Sequence, residues 1–172
     1  MTTQWEALEK RLDNVKKPIS TLALCDDPDI RAAYLTAKRA AERADDYLKA
    51  LPEDADSRDL AAKQAKEAKA ALDKARKAYD EHTVVLRFTA LERRELEALQ
   101  NQHPADEEDE AKGNDFAFDT FAPALISAAS LDGMPVDAAA RYLNSWTAAD
   151  SFALWQAAWS IQHTQRTDLG KG

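Results

Sequence analysis

Three histidines, one cysteine and 31 carboxylates are the side chains of this 172-residue chain that could hold a metal, attack a substrate or move a proton. Metal binding needs ligands at close, regular spacing. His82, His103 and His163 instead fall in three different predicted elements, each without a second ligand nearby. Cys25 has no base beside it in the sequence and reads as a half-buried strand residue, not a nucleophile. The chain has no glycine loop to cradle a phosphate and no Gly-x-Ser-x-Gly turn. Its carboxylates are spread over helix surfaces, and no two of them stand out as an acid and base pair. The expectation is a non-enzymatic protein with no catalytic residue, no cofactor site and no metal site.

Binding is the chemistry that remains. Phe116, Phe118, Phe121, Trp146, Phe152, Trp155 and Trp159 form an aromatic cluster within about fifty residues. Most rings in so small a helical unit belong to its core. Seven are many, however, and one or two could line a groove for the apolar helix of a partner, because aromatics concentrate at interface anchors. Asp106 to Glu110 are five consecutive acids. They read either as a solvated linker or as a surface that steers a basic partner.

Composition sets the frame around these residues. A net charge of -8 and a pI near 4.9 argue against a nucleic-acid groove, which needs clustered Lys and Arg. Between Asp26 and Glu81, 26 of 56 residues are charged, but from Phe116 to Gly172 only 8 of 57 are. The break near Asn114 predicts a boundary between a solvated region and an apolar unit that folds by itself. A lone cysteine fits a reducing compartment. Neither a signal peptide nor a stretch of roughly 20 apolar residues able to span a bilayer is found.

The elements that must position these residues follow from caps and periodicity. Thr3 and Glu6 form a capping-box pair, after which Trp5, Leu8, Leu12 and Val15 share a helical face, and Pro18 ends that helix. Ile19 to Cys25 reads as a short strand. After Asp26 or Asp27 as cap, a heptad runs through Ile30, Tyr34, Ala37, Ala41, Ala44, Leu48 and Leu51. Breakers from Pro52 to Ser57 separate it from a second heptad in Ala61, Ala65, Ala68, Leu72, Ala75, Tyr79 and His82. Two seams of similar length joined by a turn predict an antiparallel, Ala-rich helical hairpin. Thr83 to Phe88 either continues the second helix or pairs as a strand with Ile19 to Cys25. The strand is favoured, since the heptad register stops there.

Beyond that point Thr89 and Glu92 suggest a capping box for a helix through Leu91, Leu96 and Leu99, ended by His103-Pro104. Asp106 to Asn114 should be a loop. Three helices follow: one from Asp119 or Thr120 with Pro123 in its first turn, one from Pro135 after an Asp132-Gly133 turn, and one from Thr147 with Asp150 at the capping-box position. Phe152, Trp155 and Trp159 share a face of the last. The fold class is thus mainly α, with a two-stranded β element at the hairpin base and a C-terminal three-helix unit. The segments are an N-terminal amphipathic helix (1–17), strand, hairpin and strand (18–91), helix and acidic loop (92–115), C-terminal helical unit (116–165) and tail (166–172).

This order of elements resembles that of the tail assembly chaperones of long-tailed actinobacterial, Streptomyces-type phages. The matching words are Lys17-Pro18 before the first strand and His82-Thr83-Val84 to Arg87-Phe88. After these come Ala90-Leu91 with Arg93-Arg94, Gln102-His103-Pro104, Asp119 to Ile126, and the closing helix from Phe152 with its polar tail to Arg166. Ala105 stands where the family has a second proline, and the first sixteen residues lie outside the resemblance. Each word is short; their shared order carries the likeness.

The resemblance implies a chaperone in the host cytoplasm, absent from the mature virion. Its partners would be the tape measure protein, a long aggregation-prone helical chain, and the tail tube protein. A longer form of the same protein, made by ribosomal frameshifting, usually accompanies the short one, and Gly170-Lys171-Gly172 can be written with a slippery codon run. Self-association stays open, and neither nucleic acid nor membrane is expected as a partner. Two other classes remain: a coiled-coil scaffold or adaptor without chaperone activity, and a small enzyme, which a buried polar cluster in a cleft would favour.

Overall fold

The architecture is described by a computed structural model, which covers residues 3–168; Gly170-Lys171-Gly172, the site of the frameshift expectation, lies outside the described residues. The chain is mainly helical with one small antiparallel two-stranded sheet. In order it contains α1 (Gln4–Asp13), β1 (Ile19–Cys25), α2 (Pro28–Ala50), α3 (Arg58–Glu81), β2 (Thr83–Thr89), α4 (Arg93–Asn101), α5 (Glu107–Ala111), α6 (Phe118–Ala129), α7 (Val136–Ser145) and α8 (Ala148–Trp159), closed by a 3-10 turn (Ser160–His163). Two compact units partition it: Ala23–Val85, and Met1–Leu22 together with Leu86–Gly172. The division falls inside both strands.

The first unit is the hairpin. Asp27 caps α2 by accepting hydrogen bonds from the backbone N–H groups of Asp29 and Ile30, and Pro28 occupies the first helical turn where its missing N–H costs nothing. The heptad positions of both helices are half-buried, and Ala61 is fully buried. Alanine lets the backbones approach but removes little apolar area per residue, so the larger groups at the ends matter. Tyr34 and Tyr79 stack at 4.4 Å, the Asp26 N–H donates to the His82 carbonyl at 2.8 Å, and His82 Nδ1 lies 2.9 Å from Asp26 Oδ1. At the far turn Arg58 donates to the Leu51 carbonyl.

The second unit holds the main core. Phe88, Phe121, Leu125, Ile126 and Leu154 are its largest fully buried side chains, with Leu22, Leu91, Leu96 and Leu99 packed against them. The apolar unit is therefore larger than the composition break at Asn114 implied: it draws in the end of β2 and all of α4. Backbone groups at the end of β2 are met by one side chain. Gln162 Nε2 donates to the Thr89 and Ala158 carbonyls, while its Oε1 accepts from the Leu91 N–H at 2.8 Å. Arg87 ties the strand to the turn between α6 and α7, donating to Asp132 through both its guanidinium and its backbone N–H, as Phe88 bridges to Ser130. Gly133 completes that turn at φ +74°, where a side chain would be strained.

Several expectations need correction. α1 ends at Asp13, where Asn14 caps it, and not at Pro18, so Val15 lies beyond the helix. Thr89 does not cap α4: as the last residue of β2 it sends its hydroxyl to the Pro18 carbonyl, and Glu92 takes the cap position without a side-chain bond. The acidic run is not a loop. Asp106 and Asp109 form a capping box and four acids fill the first turn of α5, where the helix dipole favours them. The backbone N–H of Asp109 donates to Asp106 and, with smaller help from neighbouring groups, holds its carboxyl below the usual range. Finally, α6 starts at Phe118, ahead of both Asp119 and Thr120, which places Pro123 in its second turn and not its first.

Two expected outcomes test this packing. Ala68→Phe, at a half-buried seam position, is expected to destabilise by about 1–3 kcal/mol because the seam has no room for added volume; thermal unfolding followed by circular dichroism measures it. Asp132 hydrogen-bonds the Arg87 side chain and backbone, and this holds its carboxyl below the usual carboxylate range. A depressed folded-state pKa gives stability that is present above the unfolded-state pKa and lost as pH falls through the folded one. Denaturant titrations from neutral to acidic pH should show a shallower acid loss in Asp132→Asn than in the parent, with lower stability at pH 7.

Candidate functional site

Helices α6, α7 and α8 leave a cleft of about 470 Å³ in the second unit. Its apolar lining is Phe118, Pro123, Leu143, Phe152 and Trp155, and its polar lining is Asp119, Asn144 and Ser151. Each wall has a local cause. An antiparallel bridge between Pro104 and Phe116, with the Ala117 N–H donating to the His103 carbonyl, pins the chain just before α6 and sets the helix start. Pro123 then has no N–H to offer the Asp119 carbonyl four residues back, so an acceptor without a helical donor belongs to the same wall as the Asp119 carboxylate. On α8, Thr147 caps the helix by accepting from the Asp150 N–H and also donates its hydroxyl to the Asp150 carboxylate.

The seven predicted aromatics divide between core and cleft, with Trp155 belonging to both. Phe116, Phe121 and Trp155 are buried, and Trp146 and Trp159 are half-buried. Their rings interlock: Phe116 and Phe121 at 4.2 Å, Trp155 and Trp159 stacked at 5.1 Å, and Trp146 stacked on Tyr142 at 4.9 Å. These five are mainly core. Phe118 and Trp155, edge to face at 5.0 Å, present their remaining surface to the cleft, and Phe152 stands 62 % exposed at its margin. The cleft thus takes Phe118, Phe152 and Trp155 from the expected set. Asp119 and Pro123 entered the sequence reading only as part of a helix start, and Leu143, Asn144 and Ser151 not at all; the proline was the available signal, and its place in the second turn of α6 shows only in the structure.

A cleft of mixed apolar and polar lining with an acidic residue at its wall can bind an apolar side chain flanked by a cation. The other reactive residues have local roles. His103 Nδ1 pairs with Thr120 Oγ1 at 2.9 Å, His163 meets Trp159 edge to face, and the Cys25 thiol donates to the Asp27 carbonyl. Among the described residues no group of three or more His, Cys, Asp or Glu side chains is arranged to hold a metal ion, and no helix is long and apolar enough to cross a membrane. No family model, no curated protein and no solved structure matches this chain.

The division of the aromatics has a measurable consequence. Phe121→Ala should cost about 3–5 kcal/mol of stability, since it empties a fully buried site. Phe152→Ala should stay within about 0.5 kcal/mol of the parent, as an exposed side chain removes little area from water. Urea denaturation of both variants measures the difference; comparable losses would place Phe152 in the core and remove it from the cleft margin.

Proposed function

We propose that this chain is a phage tail assembly chaperone. In this reading it binds and solubilises the tape measure protein in the host cytoplasm. It helps recruit tail tube subunits that displace it, and so is absent from the mature virion. The observation that carries the proposal is the cleft of the second unit, whose lining mixes aromatic and aliphatic side chains with polar ones, with Phe152 exposed at its margin and Asp119 in its wall. A long helical client supplies apolar side chains at one-turn spacing, which is what such a cleft accepts. The acidic exterior, at a net charge of -8, keeps a coated client soluble, and the ordered words from Lys17 to Arg166 add support from the sequence. A longer, frameshifted form of the same protein belongs to the proposal as a further partner, while nucleic acid and membrane do not.

A second reading, a coiled-coil scaffold or adaptor without chaperone activity, is favoured by the hairpin. Its Ala seam leaves a groove open along α2 and α3 that a further helix could fill. Co-expression separates the two. With the tape measure protein of the same phage, the full chain should move that protein from the insoluble to the soluble fraction. Phe152→Asp should lower the soluble fraction several-fold while leaving its own unfolding curve unchanged. If the tape measure protein aggregates equally with and without the chain, the chaperone reading is wrong and the scaffold reading stands.

A further inference from the structure

We infer that α1 of one copy of this chain lies in the groove between α2 and α3 of a second copy, so that two copies associate by exchanging N-terminal helices. This does not rest on the chaperone proposal. The first observation is a helix face that the described residues leave largely uncovered. Trp5, Leu8 and Leu12 recur at helical spacing, are 60 %, 43 % and 59 % exposed, and no residue of α1 is buried. A single exposed leucine is ordinary, but three large side chains aligned on one face of a well-capped helix form a contact surface. The Thr3–Glu6 capping box fixes the start of the helix, so the face is built before any partner arrives.

The second observation is a groove of matching size and opposite charge. It has a volume of about 510 Å³ and a floor that includes Ala41, Ala65 and Leu72. The small floor residues leave room for large side chains from outside, which Trp5 and Leu12 supply. Along α3 the groove spans from Ala62 to Leu72, roughly 15 Å at 1.5 Å per residue, and the ten residues of α1 have the same length. The walls differ in sign. Glu42 and Asp45 stand on the α2 side, Lys66 and Lys69 on the α3 side, and all four are exposed. Asp45 also meets Lys49 in an exposed i,i+4 pair, which a new partner can exchange.

The flanks of α1 carry the complementary signs. At about 100° per residue, Glu9 and Asp13 fall on one side of the Trp5–Leu8–Leu12 stripe and Arg11 on the other. When α1 runs in the same sense as α2, its acidic flank faces Lys66 and Lys69, and Arg11 faces Glu42 and Asp45. Reversing the helix exchanges the flanks and sets like charges together. Exposed pairs of this kind contribute little attraction each. Their effect is to select direction and partner, while burial of the tryptophan and leucines supplies the affinity. Two copies that each donate α1 and each offer a groove close as a two-fold dimer.

Sedimentation velocity of the full chain over a range of concentrations tests this. The parent should show a concentration-dependent monomer–dimer equilibrium. The pair Glu9→Lys with Asp13→Lys, and separately Lys66→Glu with Lys69→Glu, should each weaken dimerisation about tenfold or more at low salt with unchanged circular dichroism. An equimolar mixture of the two variants should restore the dimer, because the reversed flank of one then meets the reversed groove of the other, and the parental flank meets the parental groove. A parent that stays monomeric, variants that dimerise like the parent, or a mixture that fails to recover would each overturn the inference. The last result would point instead to contact within one chain or to another partner in the groove.

Discussion

The register of β2 governs how the second unit is built. Phe88 is fully buried, while its neighbour Arg87 reaches the Asp132 carboxylate and its predecessors Val84 and Val85 remain half exposed. A slip of one residue would drive Arg87 into the core and expel the phenylalanine, because successive side chains of a strand point to opposite faces. Four hydrogen bonds guard against that slip. The Arg87 N–H donates to Asp132, the Leu131 N–H donates to the Arg87 carbonyl, and Gln162 serves the Thr89 carbonyl and Leu91 N–H. With the strand fixed, Leu91, Leu96 and Leu99 of the following segment pack on α6, and the helices that frame the cleft have a common base.

How much of this could be read in advance depended on the range of the interaction. The hairpin was legible because a heptad is a local signal: each predicted seam position is half-buried or buried, and Tyr34 and Tyr79 meet as the register required. The strand pair was legible from β-branched residues where the heptad stopped. What failed was competition for a residue between local and distant partners. Thr89 had a capping-box partner three residues on, but β2 claimed it, and its hydroxyl went to Pro18, 71 positions away in sequence. The start of α6 was misplaced for a similar reason, since the Pro104–Phe116 bridge that fixes it joins residues on either side of α5.

The site was legible only in part. Aromatic composition pointed to the right unit and named three residues of the cleft, but a ring in a core and a ring on a cleft have the same sequence. Burial alone separates Phe121, enclosed among Phe116, Trp155 and Trp159, from the exposed Phe152. Nor did the polar members announce themselves. Asn144 donates its side-chain amide to the Ala140 carbonyl and Ser151 its hydroxyl to the Tyr142 carbonyl, contacts that are ordinary in any helix or helix junction. Pro123 is the exception. A proline past the first turn removes a hydrogen bond from the helix and is kept only where the surroundings hold the turn together, here by burial against the core.

The size of the cleft bears on what kind of binding the proposed role requires. A space of about 470 Å³ takes a few apolar side chains from one short stretch of a client. Full burial of a leucine-sized group contributes about 1.5–3 kcal/mol, and the cost of immobilising two molecules removes several kcal/mol. One such contact is therefore weak. A client that repeats apolar positions along a helix turns weak contacts into a coat, since copies joined through exchanged α1 helices would engage it together and gain from effective concentration. The same arithmetic makes the coat removable. Each copy is held by little, so a subunit that binds the client more tightly can displace the copies one after another without first overcoming the sum of their affinities.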